Sequence, residues 1–464
     1  MIRSVLTCIA LCLIFTVSAM AQGNEVHFDT TTYSLYMFDI VGGGARAQGM
    51  GNAYIAVSDD ASASSWNPAG LFVQEKPLMS FDWGSFMPRG EFLNGGLTYN
   101  QSGSFDNVGY LSFIAPLRIK GHPFVGGFSY SRNSQDYLNG GAESMQDTLN
   151  NIFDTTQIYD NLVLDNHSLL NSVNFAFGTR FYKNISFGAA VNIYTGRAII
   201  NRNNMRTIDR LIPEERPNQH VYYARDSIEI DTSKYSGVNF TIGFRRVGEK
   251  LDLGLVLRTP YSLKSKTGKS IYRLVTYNGS VQGQYSDTTF VDDFVTKVKM
   301  PLYIGWGAAL RPNEKSLVAL DLEYRGFSGK TIQVRDSLRI SPGGSNEEFF
   351  TEVDPGWRNV FTFRIGGEYV LTTTSQVAPK IPVRAGFGYV PTPVTKLEVP
   401  SEITVLGETQ NSNAINVAFG AGIHWTQIYL DLAYMYTTTD YEDISGVTLQ
   451  SRNHQFNLMF TGYF

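Results

Sequence analysis

The stretch "SLVALDLEYRGF", residues 316–327, decides the fold, because large apolar and charged side chains alternate along it. One set of alternate positions carries Val318, Leu320, Leu322 and Tyr324. The other set carries Asp321, Glu323 and Arg325. Successive side chains of a β-strand point to opposite faces, so this stretch is predicted to have one apolar and one charged face. In the wall of a membrane barrel the apolar face meets lipid, since a charge there at mid-depth costs about 2–4 kcal/mol.

The same alternation recurs along the chain, in residues 185–193, 251–258, 428–436 and 456–464. Asp252, Arg258 and Asp431 fall on the predicted inward faces. A secreted soluble β-protein is the alternative, because soluble sandwiches also alternate. Many strands with large apolar residues outward and charges inward favour the transmembrane barrel.

The composition supports a membrane barrel over other exported classes. Charged residues make up 17% of the chain, below the soluble average of about 25%, and aromatic residues reach 13%. The net charge of −4 gives none of the basic excess that is typical of nucleic-acid binders, so no nucleic-acid partner is expected. After the leader no run of 18 apolar residues occurs, so helical membrane spans are not predicted.

Residues 1–21 are predicted to be a secretory signal peptide. A short basic start precedes a compact apolar run, and Ala19 and Ala21 form the small-residue pattern that predicts cleavage before Gln22. A retained anchor helix is the alternative. Both cysteines, Cys8 and Cys12, lie in the leader, so the mature chain is expected to have no disulfide.

Fourteen strands are predicted, which makes the fold class all-β, an antiparallel transmembrane barrel with an N-terminal plug in its lumen. They are predicted near 91–100, 106–117, 122–132, 168–182, 184–198, 234–246, 249–262, 294–309, 315–330, 357–370, 381–391, 412–424, 426–437 and 450–464. Short turns alternate with long connections at 133–167, 199–233, 263–293, 331–356 and 392–411. Outer-membrane barrels have short periplasmic turns and long outside loops, so both termini are placed in the periplasm.

Residues 78–87 are interpreted as the approach to the first strand. A separate strand there would raise the number of strands to fifteen and would place the long loops on the periplasmic side. Barrels of eight strands fill with their own side chains, whereas 16–18 strands leave an open channel. A lumen of intermediate size must therefore be plugged. The predicted division is a plug over residues 22–76 and a barrel over 77–464.

The stretch "GGGARAQGMGNAYIAVSDDASASSWNPAGL", residues 42–71, resembles the plug of the FadL/TodX family of outer-membrane transporters of hydrophobic compounds. Its matching features are the Gly-Ala-rich lead, the step from Asp59 to Ala61, and residues 67–71. Strand-turn-strand pieces such as "PVRAGFGYVPTP" are also similar to that family. The plug stretch is similar to the related PorV group of type IX secretion as well.

The resemblance implies passive outer-membrane transport of long-chain fatty acids or other hydrophobic small molecules. The ligand, a fatty acid or an aromatic compound, would be captured outside, enter a greasy pocket and leave sideways through the wall into outer-membrane lipid. The PorV-like alternative is a barrel that serves as a docking or assembly component of protein secretion. A lipid-modifying enzyme is a third possibility, but no convincing serine–histidine pair is present, so no enzyme activity and no cofactor are predicted.

The residues expected to matter fall into three groups. The plug motif comprises Asp59, Asp60, Asn67, Pro68, Ala69 and Gly70. The resemblance implies that Asn67, Pro68 and Ala69 hold the plug folded, and Asp59 and Asp60 are expected to cap backbone donors or to meet cations of the lumen. Charged residues predicted to face the lumen are Asp321, Glu323, Arg325, Arg364 and Arg384, which would either contact a carboxylate head group or form an ion-pair network. Gly126 and Gly127 would either bend a wall strand or pack closely against the plug. The six scattered histidines include no HExxH pair, so no metal site is predicted.

Overall fold

The computed structural model describes ten stretches of the chain, from Gly42 to Phe464. They are residues 42–94, 97–120, 122–151, 154–212, 219–277, 280–335, 350–371, 379–393, 409–443 and 448–464. The predicted signal peptide and residues 22–41 of the predicted plug lie outside these stretches.

Three short helices precede the strands in the described part of the chain. They are α1 (Ala45–Gly49), α2 (Ala63–Trp66) and a 3₁₀-helix (Pro68–Val73). None of the described helices has the length and apolar character needed to cross a membrane. Residues 42–76, which contain these helices, are called the plug below.

Nineteen strands follow within the ten described stretches. The first ten are β1 (Leu78–Asn94), β2 (Leu97–Ser102), β3 (Phe105–Ile119), β4 (His122–Asn151), β5 (Asp154–Tyr182), β6 (Ile185–Ile212), β7 (Gln219–Arg246), β8 (Leu251–Arg258), β9 (Tyr261–Tyr277) and β10 (Ser280–Met300). The remaining nine are β11 (Tyr303–Asn313), β12 (Ser316–Arg325), β13 (Ile332–Arg335), β14 (Phe350–Val353), β15 (Val360–Leu371), β16 (Ile381–Pro391), β17 (Thr409–His424), β18 (Ile428–Asp443) and β19 (Thr448–Tyr463).

The strands close into an antiparallel barrel with fourteen positions around its wall. Five positions hold two successive segments each, namely β2 with β3, β8 with β9, β10 with β11, β12 with β13, and β14 with β15. The barrel closes where β1 pairs with β19 from Leu78↔Tyr463 to Leu93↔Thr448. The predicted fold class and strand number are confirmed.

The beginning of the wall differs from the prediction. Residues 78–87 belong to β1 and pair with β19 on one side and β3 on the other, so interpreting them as an approach segment was wrong. The predicted first strand at 91–100 spans the end of β1 and the start of β2, which pair with each other as a hairpin. Pro88 and Gly90 resemble turn signals, yet both lie inside β1, whose register is set by the pairing with β19.

Three of the predicted long loops are largely strand. Residues 133–167, 199–233 and 263–293 extend the hairpins β4–β5, β6–β7 and β9–β10. A membrane-spanning strand needs about 9–11 residues, whereas β4 has 30 and β5 has 29. These hairpins therefore rise well beyond the bilayer at the end of the barrel opposite the short turns, which we call the outer end.

The predicted alternation of faces is confirmed along the wall. In β12 the residues Leu317, Ala319, Asp321, Glu323 and Arg325 are buried, and the residues between them are exposed or half-buried. Large apolar side chains cover the outside, such as Phe361, which is 69% exposed, and Phe419, which is 56% exposed. An apolar belt of this extent is the lipid-facing surface of an outer-membrane barrel.

Candidate functional site: the plugged lumen

Asn67 fixes the fold of the plug at the step from α2 into the 3₁₀-helix. Its side-chain oxygen accepts a hydrogen bond from the backbone N–H of Ala69 at 3.2 Å. Its amide nitrogen donates to the carbonyl oxygens of Ile55 at 3.0 Å and of Phe244 in β7 at 3.2 Å. Pro68 suits the first position of the helix, where no backbone donor is needed. One side chain thus caps a helix, braces a neighbouring plug loop and ties the plug to the wall.

We expect Asn67→Ala to destabilise the protein by about 1–3 kcal/mol, because it removes a cap and leaves two carbonyl oxygens without their partner. The exposed Asn184, whose amide donates to the carbonyl of Val247 at 2.8 Å in a short turn, provides the control. Unfolding of both alanine variants in lipid nanodiscs measures the difference. Equal losses would show that Asn67 has no special role.

The plug backbone lies directly against glycines of the inner wall. A Cβ atom at Gly188 would stand 2.2 Å from the carbonyl carbon of Pro68, and one at Gly366 would stand 2.2 Å from the carbonyl oxygen of Met50. Other wall glycines whose added Cβ would come closer than 3.0 Å to plug atoms are Gly178, Gly243, Gly254, Gly305, Gly307 and Gly386. Within the plug, Gly70 is equally constrained, since its Cβ would meet the carbonyl oxygen of Ser58 at 1.8 Å. Glycine at these positions lets the plug backbone pack directly against several strands of the wall.

Arg46 is the centre of a charged chain that links plug and wall. Its guanidinium forms two 2.9 Å hydrogen bonds with the carboxylate of Glu368 in β15 and a 2.5 Å contact with Asp59. Glu368 also contacts Arg384 at 2.6 Å, and Arg384 contacts Asp431 at 2.6 Å. Bidentate pairs of this kind fix geometry as well as charge.

Asp59 forms ion pairs, whereas Asp60 accepts hydrogen bonds from neighbouring plug residues. Asp59 lies 3.4 Å from Arg311 of the wall, in addition to its contact with Arg46. Asp60 accepts hydrogen bonds from the hydroxyl of Tyr54 at 2.7 Å and from the backbone N–H of Ser62 at 2.8 Å. Both carboxylates therefore stabilise the plug locally, while their importance for function stays a prediction.

We expect the stabilisation from Asp59 to depend on pH. Burial opposes ionisation of this carboxyl, but Arg46, Arg245 and Arg311 outweigh burial and hold its pKa below the usual value. A lowered folded-state pKa contributes stability that is complete above the unfolded value of about 3.9 and is lost as pH falls through the folded value. The gap in unfolding midpoint between wild type and Asp59→Asn should be constant from neutral pH down to about pH 5.5 and should shrink below about pH 4. A gap of the same size at pH 3 would contradict the assignment.

The predicted lumen charges are all buried, and they contact other protein groups among the described residues. Asp321 accepts the backbone N–H groups of Tyr54 at 2.6 Å and Ile55 at 2.9 Å, so it anchors the plug. Glu323 pairs with Arg325 at 2.9 Å and also with Arg364. These contacts favour the ion-pair network over the head-group interpretation for Glu323 and Arg364, whereas Asp321 is hydrogen-bonded to the plug backbone; the functional role of these charges stays a prediction.

An apolar cluster fills part of the lumen on the outer side of the plug. Its buried members come from the inner faces of β5–β7, β9, β10, β13 and β15 and from two wall loops, and they are Leu170, Tyr194, Ala198, Tyr235, Leu263, Val298, Met300, Phe327, Ile332, Trp357 and Val360. The loops at 326–331 and 354–359 interrupt neighbouring wall positions at the same height, between β12 and β13 and between β14 and β15. Phe327 and Trp357 enter the cluster from these loops, with ring centroids 5.8 Å apart.

The wall does not break at Gly126 and Gly127. Both residues stay in register with β3 on one side and β5 on the other, so a gap at this point of the ladder is not supported. A Cβ at Gly127 would lie 3.4 Å from Leu71 of the plug. Packing against the plug fits the contacts of Gly127, whereas a Cβ at Gly126 would meet Leu117 of β3 at 3.3 Å. The shift of register in β4 lies further along, between Arg132 and Ser134.

Sequence reasoning missed the residues that tie the charged chain together, above all Arg46 and Glu368. Arg46 is the one charged residue between 42 and 58, which was a signal that it needs a partner in a buried segment. Glu368 shares the inward phase of Arg364 in β15 and lies directly opposite Arg384 of β16. Neither feature of the sequence predicts that Arg46 and Glu368 form an ion pair with each other. Among the described residues no group of three or more metal-ligating side chains is placed to hold an ion.

The fold and the lumen together define an outer-membrane β-barrel with an internal plug. The family model of BamG matches residues 1–423, and the chain belongs to the BamG family. No curated protein matches the chain. The predicted similarity to the PorV group stays a prediction.

Several solved structures are similar in fold. A FadL homologue of Pseudomonas aeruginosa is 13% identical, with 92% of this chain and 99% of that chain covered, at a TM-score of 0.56. The toluene transporter TbuX of Ralstonia pickettii is 15% identical over 92% and 100% of the two chains, at a TM-score of 0.55. The toluene transporter TodX of P. putida is 15% identical over 92% and 99%, at a TM-score of 0.53. The predicted likeness to the FadL/TodX family is confirmed at the level of fold.

Proposed function

We propose that the protein carries hydrophobic small molecules, such as long-chain fatty acids or aromatic compounds, passively across the outer membrane. The observation that carries this proposal is the apolar cluster in the outer lumen, which lies against the interrupted part of the wall. The toluene transporters TbuX and TodX, which are similar in fold, support the same class of ligand.

The proposed route of the ligand avoids the plug and follows the apolar cluster to the interrupted part of the wall. The plug is packed against the wall and ion-paired to it, so passage straight through the inner end would disrupt many contacts. An apolar ligand on the cluster gains about 25 cal/mol for each Å² of apolar surface that it buries. The loops at 326–331 and 354–359 interrupt the ladder beside the cluster, so this part of the wall offers a way to lipid that does not cross a continuous ladder. Capture from outside and sideways release both fit this arrangement.

Uptake of radiolabelled oleate and toluene by a deletion strain tests the proposal. Complementation with wild type should restore uptake, and Trp357→Gln should lower it about tenfold, the equivalent of about 1.4 kcal/mol. Trp306→Gln is the matched control, because Trp306 faces lipid and is 41% exposed. Unchanged uptake of both compounds on deletion of the gene would reject transport of these ligands.

A docking or assembly role in protein secretion is the second candidate. The observation that favours it is the height of the hairpins β4–β5 and β6–β7, whose strands are nearly three times the length a bilayer requires. A small-molecule route needs no such outer wall, whereas an exported protein partner would find paired strands there to bind.

Shortening one hairpin separates the two candidates. Asn139 pairs with Asp165, so removing 139–165 and closing β4 to β5 with a two-residue turn keeps the register below the cut. Loss of co-purifying exported proteins with normal oleate uptake would support docking. Loss of uptake with unchanged co-purification, or no specific partner for the wild type, would reject it.

A further inference from the structure

A cavity of about 170 Å³ lies beside the apolar cluster, on the outer side of the plug. Gly43, Gln48 and Asn52 of the plug form part of its lining, and the rest comes from the inner faces of the wall. We refer to it as the outer chamber. A water molecule occupies about 30 Å³ in the liquid, so the outer chamber has room for a group the size of a sugar ring.

Four polar groups that line the outer chamber lack a hydrogen-bond partner among the residues that the structure describes. They are the side-chain oxygens of Gln48, Thr439, Asn416 and Asn453. Each of these residues is at most 4% exposed. Burying such an atom without a partner costs about 1–3 kcal/mol, so a purely apolar occupant would leave the whole set unsatisfied.

The missing partners are hydrogen-bond donors. The amide oxygens of Gln48, Asn416 and Asn453 only accept, whereas the hydroxyl of Thr439 both donates and accepts. A carboxylate has no proton to give them. An ammonium group has donors, but the described lining contains Arg132 and Arg325 and no carboxylate, so a positive charge is disfavoured. Hydroxyl groups on an uncharged molecule supply donors of the kind that these oxygens lack.

The outer chamber and the apolar cluster meet at Val360, which belongs to both. Phe86, Val390 and Met435 add apolar surface around the polar atoms. We propose that the outer chamber binds the uncharged, hydroxyl-rich head of an amphipathic ligand, a sugar-headed lipid whose chain lies along the apolar cluster. The placing of the chain rests on the proposed function, whereas the recognition of the head rests on the outer chamber alone.

Binding of n-octyl β-D-glucoside below its micelle concentration tests the proposal, with the full-length protein in lipid nanodiscs and calorimetry as the readout. Saturable binding is expected to be weakened at least about tenfold, or about 1.4 kcal/mol, in the double variant Asn416→Leu/Asn453→Leu. Asn239→Leu is the matched control, because Asn239 is an inward, buried asparagine of β7 that does not line the outer chamber. A folded, heat-modifiable barrel on gels is required of each variant.

Octanol and octanoate separate the head from the chain. Equal affinity for octanol would show that the head is not recognised, and tighter binding of octanoate would show an anionic site; either result overturns the proposal. Free glucose that competes with the glucoside places recognition in the sugar and supports it. Binding of the glucoside that depends on Asn416 and Asn453, without uptake of oleate or toluene, would reject the proposed transport function and support recognition of the head. Uptake of oleate or toluene without head-dependent binding would support transport and reject recognition of the head.

Discussion

Alanine at Gly366 should loosen the plug and open the barrel to ions, whereas alanine at the neighbouring Gly367 should do neither. The Cβ of an alanine at 366 would stand 2.2 Å from the carbonyl oxygen of Met50, a backbone atom that cannot move without the plug. Overpacking of this kind costs about 1–3 kcal/mol and occasionally more. A Cβ at 367 meets nothing closer than the carbonyl oxygen of Leu317 at 3.6 Å, which is an ordinary contact.

Conductance in planar bilayers and the unfolding midpoint in nanodiscs measure the difference between these two variants. They share one strand, one substitution and one change in backbone entropy, so only the direction of the added methyl group differs. The expected result is a lower midpoint and frequent channel openings for Gly366→Ala alone. Identical behaviour of the pair would mean that the plug is not held by its fit to the wall.

Arg46→Ala should cost about 3 kcal/mol of stability, at the lower end of the range for breaking a buried ion pair. The substitution removes the common partner of Asp59 and Glu368. The cost is limited because Arg311 still faces Asp59 and Arg384 still faces Glu368. Urea or thermal unfolding in nanodiscs gives the number.

Arg452→Ala is the matched control for charge removal. Arg452 pairs with Asp440 at 2.5 Å, but their side chains are 32% and 62% exposed. A solvated pair of this kind contributes about 0–1 kcal/mol. A loss for Arg46→Ala as small as that for Arg452→Ala would show that the charged chain between plug and wall is not what holds them together.

The faces of the wall strands could be predicted because the bilayer enforces them. Asp321 and Leu322 are neighbours, yet the first is buried in the lumen and the second faces lipid, so the period of two is visible in the sequence. Outside the bilayer both faces of a strand meet water, and this constraint disappears. Residues 133–167 carry no strong alternation for that reason, and they were predicted as a loop although they extend β4 and β5.

The site was less predictable than the wall because it depends on contacts between distant residues. Inward charges such as Arg364 and Arg384 were identified by phase, but phase does not show which atoms meet. The turn at Asn67 was identified by resemblance, whereas its bond to Phe244 requires the closed barrel. The inward loops that carry Phe327 and Trp357 leave the strand period altogether, so alternation gives no sign of them.

The contacts between the plug and the wall join residues that are far apart in the sequence, and this affects the order in which the protein folds. Arg46, near the start of the residues that the structure describes, pairs with Glu368, 322 residues later, and the wall is closed only when the last strand meets β1. Contacts so far apart in sequence form late, because the intervening chain must first be ordered. Although the plug is near the N-terminus, it can therefore take its place in the lumen only after most of the wall strands have paired. The pairing of the last strand with β1 then encloses it.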